Sequence, residues 1–387
     1  MAVLTLVSLT TIILCILVTN PNVFCAADGI DQIILKRLDR LKAVARYGNT
    51  AKPECSTQNF VYITEYPFGN SGNHIISLTH TLWLAQKLNA TLIIPNWIES
   101  SLKHFDLSIL SESYCFTLNP NVPSDTKNYA VTSEESFFLF KLFRDKNLPY
   151  IPLLPPLTTD IVNDISIHYL KVYASLWCKP TDNIISASKW IIETYLASKV
   201  DYVSVHKRNL DGGCGKIMNE NTKLTDFSLQ EIPINNTIWS NDLYHHHPIC
   251  EMPIDFIKQT MNLNGFSYDR NLFIAYDGQG DISNYRMHKA VFSSVMSSHK
   301  EYSTIPMKYV DMFVSMHGDF FIQNPRSTFS WQIYIIRVCF YLPSVPTIQT
   351  NDIYLQRVPQ DLIVADRPLW VSWSSVLAAF SKMDILQ

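Results

Sequence analysis

A strand, a glycine-rich turn, a helix and a second strand follow one another between residues 60 and 95. The β-branched and aromatic run 60–64 predicts the first strand, and the run 91–95 predicts the second. Apolar side chains recur between them at helical spacing, at Ile75, Leu78, Leu82, Ala85 and Leu88. A strand–helix–strand unit of this kind is the building block of a parallel, doubly wound sheet, so the sequence predicts an α/β fold.

The turn before this helix, residues 69–74, contains Gly69 and Gly72. Backbone N–H groups at a helix N-terminus can receive a phosphate or a sugar hydroxyl. The spacing matches neither GxGxxG nor a P-loop, so a tight turn without a ligand is an equally good interpretation.

A second set of strands and helices follows residue 199. Strands are predicted at 200–205, 272–276 and 320–322, and helices at 254–261, 285–296, 310–316 and 329–340. Helices are also predicted at 169–177 and 187–197, and the second of them is expected to close the first set. With 387 residues the chain is long enough for two domains, which we assign to 55–198 and 199–387.

Each strand of the second set is followed by polar side chains. They are His206 and Arg208, then Asp277, then Asn324 with Ser327 and Thr328. Because ligands bind at the carboxyl ends of strands in open α/β sheets, we expect these side chains to meet at one edge. Ser327 and Thr328 would lie at a helix N-terminus, where they can cap the helix, bind an anion, or do both.

His206 and Arg208 are two residues apart at the end of a predicted strand, so both would project to one face. An imidazole and a guanidinium together predict an anionic ligand such as a phosphate. The alternative is a surface loop with two ordinary basic residues.

The first 27 residues predict entry into the secretory pathway. Residues 2–18 are uncharged and mostly apolar, and a small-residue cleavage site follows near Ala26 and Ala27. A retained signal anchor stays open as an alternative, although the run is short for a span. Residues 28–54 contain an amphipathic helix with Ile34, Leu38, Leu41 and Ala45 on one stripe, either a stem or an N-terminal packing helix. We expect the lumen of the endoplasmic reticulum or Golgi, or secretion.

Cysteines and sequons agree with that compartment. Sequons place candidate N-glycosylation at Asn89 and Asn235. Six of the eight cysteines lie beyond the signal, and an oxidising lumen predicts disulfides whose connectivity the sequence leaves open.

Composition restricts the partners. A formal net charge of -3 gives no reason to expect nucleic acid. The three adjacent histidines 245–247 cannot all face one ion on regular structure, so we interpret them as a polar loop and expect no metal.

Three blocks, in order, resemble the GDP-fucose-dependent fucosyltransferases, particularly the protein O-fucosyltransferase group. The first joins the glycine-rich turn 69–73 to 88–95, and the second is His206-Lys207-Arg208 with Asp211. The third is 319–330, with Arg337 one helical stretch later.

The resemblance implies a GT-B glycosyltransferase with two facing Rossmann-like domains, the C-terminal one holding the donor. It implies inverting, metal-independent transfer from GDP-fucose to a protein Ser/Thr or a glycan, with no cofactor. Without a metal, the leaving diphosphate needs cationic help, which Arg208 can supply. The other implied roles are Asn73 reaching across the cleft to sugar or acceptor, Gly72 and His206 holding the donor, Asp277 recognising guanine, and Ser327, Thr328 and Phe329 lining phosphates and base.

The sequence departs from the family in two places. The glycine-rich turn lacks the glutamate of one branch, and Glu65 precedes the turn, so the general base is unassigned or not needed. The continuation after Arg208 differs from the commonest one, so the acceptor is not carried over. Cys214 and Cys250 flank a loop that a disulfide could close near the donor site, which we state as a hypothesis.

Two alternative functions stay open. One keeps the GT-B fold but uses another sugar nucleotide, such as a rhamnosyl donor, on a polysaccharide. The other is a catalytically inactive secreted binding protein of the same fold.

Overall fold

The computed structural model describes residues 29–64, 71–118, 127–131, 159–196, 200–208, 252–267, 269–278, 282–324, 327–342, 344–345 and 373–383. The strands are β1 (Asn59–Ile63), β2 (Thr91–Ile93), β3 (Phe116–Thr117), β4 (Lys127–Val131), β5 (Val203–Lys207), β6 (Leu272–Tyr276), β7 (Phe320–Ile322) and β8 (Ser344–Val345). The α-helices are α1 (Ile30–Arg46), α2 (Ser71–Lys87), α3 (Asn96–Leu102), α4 (Ser108–Ser111), α5 (Thr159–Trp177), α6 (Asp182–Ile191), α7 (Ile254–Leu263), α8 (Ser283–Met287), α9 (Met307–His317), α10 (Thr328–Phe340) and α11 (Trp373–Lys382).

The strands form two parallel, four-stranded sheets. The first has the order β3-β2-β1-β4 and the second the order β6-β5-β7-β8. In each sheet the chain builds outward on one side of the first strand and then returns to its other side. The predicted α/β fold with parallel sheets is therefore confirmed.

The first strand–helix–strand unit forms as its periodicity predicts. Ile76, Leu78 and Leu82 of α2 are buried against the core. The unit turns back at Asn89, whose φ of 47° lies in the left-handed region that asparagine tolerates. β2 follows within two residues and pairs in parallel with β1.

The single helix predicted over 285–296 is wrong. α8 ends at Met287, Lys289 has a φ of 57°, and a 3-10 helix occupies Ser293–Ser298. Between them Val291 donates its N–H to the Leu272 carbonyl at 2.9 Å and accepts from Ile274 N–H at 2.9 Å. This pairing with β6 requires extended backbone, so tertiary hydrogen bonds override the helical pattern.

The helix predicted over 187–197 also differs. α6 begins earlier, at Asp182, and after Ile191 the chain continues as a π-helical turn, Ile192–Leu196.

The N-terminal helix α1 packs into the protein. Ile34, Leu41 and Val44 are buried, and the helix lies against α5 and α10. Arg37 Nη1 donates to the carbonyl of His317 at 2.5 Å. Because this carbonyl belongs to the last turn of α9, the guanidinium lies at the negative end of that helix.

The two sheets share a large hydrophobic core, and a second cluster, which contains Val205 and Ile274, packs on the second sheet alone. A single cluster contains Val61 and Leu92 of the first sheet together with Phe273 and Phe321 of the second. The predicted boundary near residue 199 lies outside the described residues, and the division into two domains stays a prediction.

The structure pairs Cys55 with Cys115 in a disulfide. Cys178 and Cys339 are buried thiols. Cys214, Cys250 and residues 1–28 lie outside the described residues, so the hypothetical second disulfide and the signal stay predictions. Among the helices of the described residues, none combines the length with the apolar character that a membrane span requires.

Asp311, on α9, is 5% exposed, and this burial raises the pKa of its carboxyl group to about 8. A hydrogen bond from Ser293 acts in the opposite direction and lowers the pKa by less. The folded state therefore holds a proton that the unfolded chain releases near pH 4, so stability falls as pH rises toward 8. We expect the free energy of unfolding of Asp311→Asn, relative to that of the wild type, to rise by about 1.4 kcal/mol for each pH unit between pH 5 and 7. Urea unfolding at pH 5, 6, 7 and 8 measures this. The exposed-site variant Asp39→Asn is the control, and parallel curves for Asp311→Asn and wild type would contradict the prediction.

Candidate functional site

The candidate site lies where the strand order of the second sheet reverses. β5 pairs with β6 on one side and with β7 on the other. In open α/β sheets the crevice outside the carboxyl ends at such a reversal is the usual ligand site. β5 continues there into Arg208, and β7 continues into Gln323 and Asn324.

His206, the fourth residue of β5, is buried at 4% exposure. Its Nδ1 lies 2.8 Å from Ser330 Oγ, and its ring centroid lies 4.5 Å from that of Phe329. Burial, and then the charge of Arg208, lower the pKa of His206 to about 3, so the ring is neutral at physiological pH. A Ser330 hydroxyl that donates to Nδ1 would leave the hydrogen on Nε2, available as a donor.

Arg208 is half-buried next to β5, and its Nε is buried without a hydrogen-bond partner among the described residues. Its backbone is held in place, because Asn324 Nδ2 donates to the Arg208 carbonyl at 3.0 Å. The Asn324 N–H in turn donates to Ser330 Oγ at 3.0 Å. Asn324 and Ser330 thus link the ends of β5 and β7 to the first turn of α10.

The N-terminus of α10 is capped by Ser327, whose Oγ accepts from Phe329 N–H at 3.2 Å. Ser327 is 3% exposed, while Thr328 and Phe329 are half-buried. The capping interpretation of Ser327 is confirmed. The remaining N–H groups of this first turn lie beside His206, where they can receive an anion.

The N-terminus of α2 meets the N-terminus of α10. Thr328 Oγ1 donates to Asn73 Oδ1 at 3.0 Å. A Cβ added to Gly72 would lie 2.5 Å from Thr328 Oγ1 and 3.3 Å from Gln332 Nε2, so only glycine allows this approach. Two positive helix ends therefore meet here, and the charge of Arg208 acts on His206 at the end of β5, a combination that favours an anionic ligand.

Asp277 directly follows β6, the other neighbour of β5, and its side chain is exposed. It lies at the same edge of the sheet, and its recognition of a base stays a prediction. Asn89 is exposed in its turn, and its glycosylation likewise stays a prediction. Asn235, Asp211, Glu65 and histidines 245–247 lie outside the described residues.

Two residues of this region were missed by sequence reasoning. Ser330 is fully buried and contacts both His206 and Asn324, and the only sequence signal for it is its place in the third block. Lys207 is 2% exposed, with Nζ 5.9 Å from the ring centroid of Tyr285. Alternation along β5 directs Lys207 to the opposite face from His206.

Arg337 holds α10 in register with β7. Its guanidinium is fully buried and donates to the carbonyls of Gly318 at 2.6 Å and Asp319 at 3.1 Å, and to Ser344 Oγ at 3.0 Å. Burial lowers the pKa of Arg337 to about 9. Arg337 belongs to α10, which begins at Thr328, and its bonds reach the residues just before β7. These hydrogen bonds therefore help to set the position of α10, and with it the helix N-terminus, relative to β7.

No group of three or more His, Cys, Asp or Glu side chains suited to a metal ion occurs in the described ranges.

No protein-family model and no curated protein matches the chain. Among solved structures it is similar to POFUT1 in complex with GDP-fucose, at 15% identity and a TM-score of 0.38, covering 75% of this chain and 99% of the other. The apo-form of POFUT1 gives 16% identity and a TM-score of 0.40, covering 76% and 99%. POFUT1 in complex with GDP gives 15% identity and a TM-score of 0.36, covering 75% of this chain and 98% of the other. Similarity at this level establishes neither a family nor an activity for the chain.

Proposed function

We propose that the chain is a GT-B glycosyltransferase that moves fucose from GDP-fucose, with inversion and without a metal, to a protein Ser/Thr or a glycan. One observation carries the proposal: Arg208, the neutral His206 and the N-termini of α2 and α10 converge at the strand-order reversal. That combination suits a diphosphate. The three ordered sequence blocks add the identity of the donor.

In the proposed reaction the bond between fucose C1 and the β-phosphate oxygen breaks and its electron pair leaves with GDP. An acceptor hydroxyl forms the new bond to C1 from the opposite face, and its proton passes to solvent water. Arg208 stabilises the negative charge that develops on the leaving diphosphate. Its Nε is already buried without a partner among the described residues, so it does not exchange a protein hydrogen bond for the new one.

The other residues bind and orient the donor in this proposal. His206 donates from Nε2, Asp277 accepts from the guanine edge, and the first turn of α10 with Ser327, Thr328 and Phe329 receives phosphates and base. Asn73 acts from the α2 side, where its contact with Thr328 couples donor and acceptor positions. No cofactor is required.

The proposed compartment is the lumen of the secretory pathway. The Cys55–Cys115 disulfide supports it, since disulfides persist in oxidising compartments. Residues 1–27 would direct the chain there, as a cleaved signal or an anchor.

A donor panel tests the function. The secreted protein is incubated with GDP-fucose, GDP-mannose or UDP-rhamnose, each with and without EDTA, and nucleotide release is measured over a Ser/Thr peptide and glycan acceptor array. We expect release from GDP-fucose alone, unchanged by EDTA. Release from UDP-rhamnose would assign the alternative donor, and GDP-fucose binding without release on any acceptor would assign an inactive binding protein.

A further inference from the structure

Four aromatic rings contact one another on the surface beside α6. The Trp190 ring lies at the centre, with centroids 5.3 Å from Tyr195, 4.8 Å from His299 and 5.4 Å from Tyr302. His299 and Tyr302 stack at 4.4 Å with 16° between their planes. Tyr195 is 41% exposed and the other three are half-buried. These four residues are called the aromatic cup below.

The π-helical turn brings the first two rings together. Trp190 and Tyr195 are five residues apart, a spacing that in an α-helix separates side chains by about 140° around the axis. The turn Ile192–Leu196 is instead π-helical, with the wider i→i+5 geometry that returns Tyr195 to the face of Trp190. Such turns are rare and are found frequently at functional sites.

The polar atoms of the aromatic cup are unused. His299 Nδ1 is buried without a hydrogen-bond partner among the described residues. Within the same residues, Trp190 Nε1 and the hydroxyls of Tyr195 and Tyr302 also have no hydrogen-bond partner. Trp190 Nε1 and the two tyrosine hydroxyls are not among the buried atoms, and rings whose polar tips are open in this way suit a ligand with both apolar faces and hydroxyl groups. A pyranose has this character, because its C–H faces pack on aromatic rings while its hydroxyls point outward.

Charge around the aromatic cup favours an uncharged ligand. Lys189, next to Trp190, forms an ion pair with Asp31. Lys300 and Glu301 follow His299 and carry opposite charges, which leaves Glu193 on the π-helical turn as the remaining charge of this segment. No cluster of one sign that would select a phosphate or a sulfated chain is present among these residues.

The aromatic cup lies near the amino ends of the strands of the second sheet, whereas the candidate site lies at their carboxyl ends. The Leu196 carbonyl, next to Tyr195, accepts from the side chain of Asn271, which directly precedes β6. The candidate site lies at the carboxyl ends, and a five-residue strand such as β5 spans about 16 Å. The two surfaces are therefore distinct.

We propose that the aromatic cup is a binding site for an uncharged glycan, with one pyranose packed on the exposed ring of Tyr195 and its hydroxyls bonded to Trp190 Nε1 and the tyrosine hydroxyls. It would hold a glycan chain without taking part in sugar transfer. The site needs neither donor nor catalysis, so its test is separate from that of the proposed function.

The test is saturation-transfer NMR and calorimetry on the secreted protein without nucleotide, using cellohexaose, β-1,4-mannohexaose and β-1,4-galactohexaose. We expect at least one hexaose to bind. Tyr195→Ala and Trp190→Ala should weaken that binding on the order of tenfold or more, and Tyr195→Phe, which keeps the ring, should weaken it less. Met287→Ala, at a side chain 71% exposed elsewhere, is the matched control and should bind as wild type does.

Trp190 also packs against the core, so the affinity of its variant is interpreted only if its thermal unfolding matches that of the wild type. Tyr195 is exposed, so the affinity of Tyr195→Ala is sufficient to decide the test. Absence of binding to all three hexaoses would overturn the proposal, as would binding that Tyr195→Ala leaves unchanged. Binding of a proline-rich peptide in place of the hexaoses would assign the aromatic cup to a protein partner and overturn it equally.

Discussion

Arg208→Ala should lower the rate of GDP release from GDP-fucose on the order of 100-fold or more. Arg208 is half-buried, its charge acts on His206, and its Nε has no partner in the described part of the chain. Removing it takes away the positive charge that would meet the leaving diphosphate, in a region where buried His206 stays neutral and cannot replace it. The measurement is GDP release at saturating and at low donor concentration, which separates kcat from kcat/KM.

Two further variants interpret that result. Arg208→Lys keeps the charge but loses the forked guanidinium, so it should recover part of the rate. Arg286→Ala, on the exposed end of α8, is the matched control and should retain wild-type activity. Equal rates for Arg208→Ala and wild type, with both proteins folded, would rule out the catalytic assignment.

Gly72→Ala should destabilise the folded protein by about 1–3 kcal/mol and reduce donor turnover. The new Cβ would lie 2.5 Å from Thr328 Oγ1 and 3.2 Å from Thr328 Cβ, so the N-termini of α2 and α10 must separate. Their separation would break the hydrogen bond from Thr328 to Asn73 and move the first turn of α10 away from His206. Urea unfolding and GDP release measure the two effects.

A double-mutant cycle attributes the effect to this contact. Thr328→Ala removes the oxygen at 2.5 Å, so Gly72→Ala should lower the free energy of unfolding less in that background than in wild type. Gly29→Ala is the control, because a Cβ at Gly29 meets no atom within 4 Å. Equal costs in the two backgrounds would show that the approach of α2 to α10 is not what requires glycine.

Local patterns were sufficient for most elements. β5, β6 and β7 form where apolar runs predict them, and α2, α9 and α10 follow their helical periodicity. Local patterns failed at 285–296, where Val291 pairs with β6 and the backbone at Lys289 is in the left-handed region. A helical pattern of apolar residues cannot register a hydrogen bond to a strand elsewhere in the chain.

The candidate site was predictable in part. The sheet brings the ends of β5, β6 and β7 to one edge, as their parallel order requires. Ser330 went unnoticed because a serine inside a helix has no distinctive pattern, and its role follows only from its distance to His206. The pairing of Cys55 with Cys115 was also open, since six cysteines allow many connectivities.

By itself the sequence determined the α/β class, most of the strands and helices, and the polar residues at the strand ends, because these depend on neighbours within a few positions. Only the tertiary structure decided that α1 packs into the core, that a π-helical turn aligns Tyr195 with Trp190, and that Asn73 meets Thr328. Asn73 and Thr328 are 255 residues apart, and contact over such a separation depends on how two sheets and their helices pack, which no local pattern records.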